Sequence, residues 1–306
     1  MSKKYETVGG QAVIEGVMMK STDRIAMAVR SENGEIRYTC KKNEQTKNRL
    51  LRLPFIRGSV NFFNMLMEGI GCLNKSAAMA YNDEEEQVGG WFMLFSVMIG
   101  IGSSVLLFIF LPTLLASFFR PYVQSHLAIN LLEGLFRIIV FIIYLLLMTL
   151  YPDMKRYFMY HGAEHKTIMC SERGMDLTIE NVRSSTRLHP RCGTTFMFLL
   201  MIISILVYSM VIWTDGLLMR TLIRVLLLPV IAGISYEILK ALASTQNKCF
   251  YIFKWPGLML QKITTKEPDD DMIRVAILAF KGAKLSPEEF EEWKQSDSFI
   301  RYTDYV

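Results

Sequence analysis

Four long apolar runs constrain this chain more than anything else in it: residues 91–119, 127–151, 194–213 and 221–239 are nearly free of charge. Each is close to or above the roughly 20 residues that an α-helix needs to cross about 30 Å of hydrocarbon. Core helices of soluble domains seldom run so far without a polar face. The expected fold is therefore mainly α, a polytopic membrane protein with about four transmembrane helices. The 51% hydrophobic content of the 306 residues exceeds that of ordinary soluble proteins, and the excess lies in these runs.

Basic residues set the expected orientation. Residues 1–90 carry Lys3, Lys4, Arg24, Lys41, Lys42, Arg49 and Arg57, and residues 152–193 carry Lys155, Arg156, Lys166, Arg173, Arg183, Arg187 and Arg191. The tail after Lys240 is basic too, whereas the connections 120–126 and 214–220 offer only Arg120 and Arg220. Basic segments stay inside, so both termini and the 152–193 loop are expected in the cytoplasm of a cell-membrane protein, in keeping with an even number of spans. The first residues lack an apolar stretch, and no cleaved signal peptide is expected. Five cysteines facing the cytoplasm are expected to be reduced. The net charge of +5 suits anionic lipid, and nothing has the form of a nucleic-acid module. The partners expected are thus the lipid bilayer and an unidentified substrate.

Six segments follow. Residues 1–53 read as a β-rich element, with Arg24–Arg30 and Glu35–Cys40 pairing across the Asn33-Gly34 turn signal. Residues 54–86 combine an amphipathic helix (Phe62, Phe63, Leu66, Met67 and Ile70 at helical spacing), expected along the membrane interface, with the acidic linker Asp83–Glu86. Residues 87–151 hold spans one and two, and 194–243 spans three and four, with Pro112 and Pro229 placed to kink their helices. Glu133 and Arg137, four apart, are expected to form an ion pair within one helix near the membrane border. Residues 244–306 form a cytoplasmic helical tail: Trp255 is placed to anchor at the interface, Met272–Phe280 is amphipathic, and Ser286-Pro-Glu-Glu289 signals a capped helix start.

The loop 152–193 concentrates the chemistry. Three of four histidines, His161, His165 and His189, lie here with Cys170 and Cys192. His161-Gly-Ala-Glu164-His165 is an H-x-x-E-H pattern. On a helix its two histidines share a face within reach of one Zn²⁺ or another divalent transition metal, and Glu164 lies within the same arc of about 100°. A carboxylate there can act as general base toward a metal-polarised water. A third ligand is needed. His189 and Cys192 are the natural candidates, and Cys170 and Glu180 are further ones. With both His189 and Cys192 bound, the site would be closed and structural; with one of them, a position stays open.

Four segments in order, Gly9–Met19, Tyr160–Cys170, Arg187–Gly193 and Pro256–Asp270, resemble the bacterial YqhQ-like family over nearly the whole chain. The resemblance implies a multi-spanning membrane protein of a kind commonly described as a metal-dependent enzyme, without a substrate. It also ties the His/Cys loop to Gln11 and Glu15 in the first motif and to Glu267, Asp269 and Asp270 in the last, which are expected to fold onto the loop and support its ligands or touch substrate. The domains that surround H-x-x-E-H in metalloproteases are not visible, so peptidase activity is not expected. The leading functional expectation is a membrane-embedded, cytoplasm-facing metal-dependent hydrolase. The alternative is a non-enzymatic scaffold or regulator whose loop is closed by a structural metal. The short list of intramembrane charges argues against a transporter.

Overall fold

Alternating residues near the N-terminus build a sheet that is buried on both faces. The strands are β1 (Gly9–Val13), β2 (Gly16–Lys20), β3 (Arg24–Arg30) and β4 (Ile36–Lys42), an antiparallel meander in sequence order. A short fifth strand, β5 (Tyr302–Asp304), adds in parallel to β4. The computed structural model describes residues 8–43, 56–81, 90–190, 192–211, 216–244, 251–296 and 302–304. The acidic linker 83–86 and the residues Lys3, Lys4, Arg49 and Arg191 lie outside them. The expected hairpin is present, with Gly34 at φ +84° in its turn and Arg30 opposite Ile36.

Period-two alternation assigns the two sheet faces. Val13, Met18, Ile25, Met27 and Val29 pack against α1 (Ile56–Tyr81) through Cys72, Met79 and Ala80. Val17, Met19, Ala26, Ala28 and Tyr38 face α11 (Asp270–Lys284) and meet Met272, Val275, Ala276, Ala279 and Phe280. The amphipathic helix predicted over 54–80 is therefore α1. Its second half is one cover of the sheet. The tail contributes the other cover, and α12 (Pro287–Ser296) follows with the predicted capping box: Ser286 N–H donates to Glu289 Oε2 (2.9 Å) and Glu289 N–H to Ser286 Oγ (3.2 Å).

Among the described residues, two helical segments are long and apolar enough to cross a membrane, Leu94–Ser117 and His126–Met148. The first comprises α2 (Gly90–Val105), a π-helical turn Leu106–Phe110 and α3 (Leu111–Ser117); the second is α4. The third apolar run forms α7 (Gly193–Ser209), only 17 residues. The fourth is broken into α8 (Leu217–Leu226) and α9 (Leu228–Ser244), bent by 42° where Pro229 begins the second piece. Between α4 and α7 run α5 (Pro152–Glu172) and the short α6 (Ile179–Ser184). A helix that the sequence reading did not resolve, α10 (Tyr251–Thr264), packs along α7 with Pro256 inside it.

The charge cluster among the apolar helices is larger than the expected pair. Glu133 of α4 does meet Arg137 (2.7 Å), but it also holds Arg224 of α8, and Thr113 donates to it at 3.2 Å. Arg137 Nε donates to the Phe108 carbonyl (3.1 Å). Pro112 has no N–H to return to that carbonyl in α-helical register, so the arginine supplies the missing donor. The Tyr208 ring lies 4.8 Å and 5.3 Å from the Arg137 and Arg224 guanidinium carbons. Arg220, expected in an external connection, is buried on α8 with Arg224. Both follow from helical phase: on α8 the arginines share one face, and Leu218, Leu222 and Leu226 are exposed on another.

Candidate metal centre

Pro152 starts α5 at its N-terminal edge, and the helix then carries His161 and His165 one turn apart, with ring centroids 4.4 Å from each other. Each imidazole is oriented through Nδ1. His161 Nδ1–H donates to the Thr264 carbonyl (2.8 Å), at the end of α10, and His165 Nδ1–H to the Arg187 carbonyl (2.5 Å). Carbonyl oxygens only accept, so both protons belong on Nδ1 and both Nε2 lone pairs are left as ligand atoms. Backbone carbonyls fixing the far nitrogen are the usual support of metal-binding histidines.

The third donor is Cys192. Its sulfur lies 3.3 Å from His161 Nε2, and ligand atoms of His161, His165 and Cys192 all lie within 4.8 Å of one another. Cys192 is the N-cap of α7, where Thr194 N–H and Oγ1–H point at the sulfur at 3.5 Å and 3.4 Å. His165 Nε2 is buried without a hydrogen-bond partner among the described residues. A buried nitrogen lone pair left unsatisfied is costly, and a cation between the three donors satisfies it. Tetrahedral zinc with bonds near 2.0–2.3 Å has ligand–ligand edges of roughly 3.3–3.6 Å. The His161–Cys192 separation is close to such an edge, and with the three ligand atoms within 4.8 Å of one another the donor types would suit a zinc-like ion.

Glu164 is buried beside this group, its Oε2 4.0 Å from His161 Nε2. Burial pushes its carboxyl above the usual carboxylate range, opposed by the neighbouring His161 and His189. Burial likewise lowers His165 and raises Tyr157 to about 12, the latter with Glu164 and Cys192 as its charged neighbours.

His189 is close but turned to another task. Its ring centroid lies 5.8 Å from that of His165, and its Nε2 pairs with Glu172 at 3.4 Å. Its backbone is clamped by the fully buried Gln261 of α10, which accepts from His189 N–H and donates to its carbonyl, both at 2.8 Å. That clamp fixes the loop that supplies the Arg187 carbonyl. Arg187 in turn donates to the Thr265 carbonyl (2.7 Å), so the loop before α7 and the end of α10 hold one histidine each and hold one another. Gln261 and Thr264 escaped the sequence reading because nothing in a local pattern separates a clamping glutamine from a solvated one.

Two other candidate ligands are placed elsewhere. Cys170 is buried against Ile179, Val182, Ile273 and Ile277, with its thiol toward the Met175 and Asp176 carbonyls. Cys170 stands five residues beyond His165 on α5, roughly 140° round the helix from it, and so falls off the face that carries the two imidazoles. Glu180 is exposed on α6. Neither joins the group of His161, His165 and Cys192.

Both flanking motifs do come onto the loop. Glu15, at φ +50° in the β1–β2 turn, takes a two-pronged ion pair from Arg156 and a 3.3 Å bond from the Tyr160 hydroxyl. A methyl group placed on Gly10 would lie 3.0 Å from Glu164 Cγ, so β1 is packed against the carboxylate. Gln11 faces Gly69 of α1 instead, its Oε1 3.4 Å from the corresponding methyl position. Glu267 pairs with the buried Lys166 (2.8 Å) and with Arg187 (3.6 Å). Asp269 caps α11 through Met272 N–H (2.8 Å), and Asp270 pairs with Arg183. These carboxylates assemble the walls of the centre and stand outside the His161–His165–Cys192 group.

A family model described as "Protein of unknown function (DUF1385)" matches residues 53–285. Among curated proteins, "Uncharacterized protein YqhQ" of Bacillus subtilis (strain 168) is 35% identical over 306 residues, which cover 95% of this chain and 96% of the relative. No solved structure matches.

Proposed function

The chain belongs to the YqhQ-like family of proteins of unknown function, and we propose that it is a membrane-embedded metal-dependent hydrolase. Its centre faces the cytoplasm: His161, His165 and Cys192 hold a zinc-like ion and Glu164 is the general base. The observation that carries this reading is the pair of imidazoles fixed through Nδ1 by backbone carbonyls, with both Nε2 atoms and the Cys192 sulfur converging. A zinc ion supplies Lewis acidity toward water and toward a carbonyl or phosphoryl oxygen. In hydrolysis the water oxygen bonds to the electrophilic carbon or phosphorus as the bond to the leaving group breaks. Glu164 takes that water's proton and returns it to the departing atom. A buried carboxyl with a raised pKa suits this two-way role, since the best proton carriers titrate near the working pH.

Four crossings complete the reading: Leu94–Ser117, His126–Met148, α7, and the bent pair α8–α9. At 1.5 Å per residue, the 17 residues of α7 extend about 25 Å. That length suits a span whose N-cap is the Cys192 ligand at the membrane border. Chain continuity supports the parity. The end of α4 and the start of α7 flank α5, and the N-terminal sheet and α11 both pack on α5. All of these parts therefore lie on the side marked cytoplasmic by Lys and Arg.

Metal analysis of the purified protein tests the reading. One equivalent of zinc, or of cobalt after exchange, is expected in the native protein and in E164Q, and its loss in H161A, H165A and C192A. E164Q that keeps metal but loses the cellular phenotype supports catalysis, whereas an unchanged phenotype assigns the ion a structural role. A native protein that neither retains nor takes up stoichiometric metal overturns the proposal.

A further inference from the structure

Resting on the metal-centre reading, we infer that the Tyr157 hydroxyl is a catalytic hydrogen-bond donor at this centre. It donates to the carbonyl or phosphoryl oxygen of the substrate, on which negative charge develops as water adds.

Helical phase gives the placement. At about 100° per residue, Tyr157 lies on the same stripe of α5 as the site, with Glu164 about 20° to one side and His161 and His165 about 40° and 80° to the other. Tyr157, His161, Glu164 and His165 thus share one face at i, i+4, i+7 and i+8. The other tyrosine nearby, Tyr160, falls about 60° off, and its hydroxyl is committed to Glu15 (3.3 Å). Tyr157 is not committed: among the described residues its hydroxyl has no hydrogen-bond partner. The charged groups that act on it are Glu164 and Cys192, the general base and the metal-binding sulfur.

The ring is held in advance. It packs against the core that the sheet, α5 and α11 share, and it lies edge-on to Phe158 with centroids 6.2 Å apart. A donor fixed before substrate arrives needs no reorganisation during the reaction. Exposure agrees with a role toward substrate. Glu164 and His165 are buried, whereas Tyr157, His161 and Cys192 are only half-buried, so a molecule reaching the centre from solvent meets these three. Neighbouring donors are already engaged: Thr194 Oγ1–H points at the Cys192 sulfur (3.4 Å), and His189 pairs with Glu172 (3.4 Å). Burial, with Glu164 and Cys192 as negative neighbours, pushes the phenol up to about 12. It therefore keeps its proton at neutral pH and shares it in a hydrogen bond, while Glu164 carries the proton that moves.

Removing the hydroxyl alone tests this. Native protein and Y157F, each loaded with cobalt, are titrated with acetohydroxamate, whose oxygens accept hydrogen bonds, and with imidazole, which has no acceptor left once its nitrogen meets the metal. The cobalt absorption band reports both. Y157F is expected to keep its cobalt and its unfolding midpoint, since phenylalanine preserves the ring contacts. It should bind acetohydroxamate ~10-fold more weakly and imidazole as the native protein does. Equal acetohydroxamate affinity in the two proteins overturns the inference, and so does native protein that holds cobalt but binds no acetohydroxamate. Weakening of both probes together, or loss of cobalt from Y157F, also overturns it, because the tyrosine then holds the site and not the substrate. Native protein that takes up no cobalt overturns the metal centre itself, a failure visible before either probe is added.

Discussion

Gly162, the residue after the first histidine of the H-x-x-E-H sequence, lies directly under the carbonyl oxygen of Lys266, which a methyl group at Gly162 would approach to 2.0 Å. That contact is why the strand-like passage 265–269 can lie along α5, with Lys266 N–H donating to the Phe158 carbonyl at 2.8 Å. The glycine therefore serves the C-terminal motif, and through Thr264 it serves the orientation of His161. Gly162→Ala forces the passage away from α5. It should cost about 2–3 kcal/mol and weaken metal retention more than a distant substitution of equal cost, checked by thermal unfolding and metal content side by side.

His189 distinguishes a three-donor from a four-donor centre. Because its Nε2 pairs with Glu172 while its backbone is held by Gln261, His189→Ala should keep the metal. Gln261→Ala removes the clamp on the loop carrying the Arg187 carbonyl and should lower metal affinity by about 10–100-fold. Competition with a zinc-responsive chelating dye measures both. Loss of metal in His189→Ala would instead identify a closed site.

Glu133 is the shared acceptor of two buried guanidinium groups, Arg137 and Arg224. Glu133→Ala leaves both cations without it inside the bundle and should cost about 3–5 kcal/mol. The expected readout is a lower unfolding midpoint in detergent and reduced membrane yield. Near-native stability would mean that the cluster is not what holds α4 to α8.

Orientation has a direct measurement. Cys40 is exposed on the sheet, and Tyr122, 85% exposed, lies between α3 and α4. In a protein whose one cysteine is Cys40, a membrane-impermeant maleimide should react only after lysis. Placed instead at Y122C, the thiol should react in intact cells. The reverse pattern would invert the topology.

Much of this was legible before any coordinates. The Asn33-Gly34 turn, the Ser286 capping box and the apolar runs are local signals, decided by φ preference, reciprocal hydrogen bonds and length. So was the H-x-x-E-H face, since i,i+4 residues meet on any helix. The choice of Cys192 over His189, Cys170 and Glu180 was not legible. It depends on where a loop of some twenty residues returns to α5, and that return is set by Gln261 and Thr264 from a helix seventy residues further on. The recruitment of Arg224 was equally hidden, because 221–239 reads as one nearly uncharged apolar run until the break at Leu227 fixes the helical phase of α8.

By itself, then, the sequence determined a mainly helical chain with a small N-terminal sheet, helices apolar enough to enter a membrane, and a helix presenting two imidazoles and a carboxylate on one face. These follow from periodicity and composition, which act over a few residues. Only the tertiary structure decided which sulfur faces those imidazoles and which carbonyls orient them. Those outcomes depend on close approaches between distant segments, at Gly162 and Gly10, where the missing side chain matters only because another backbone or side chain arrives there.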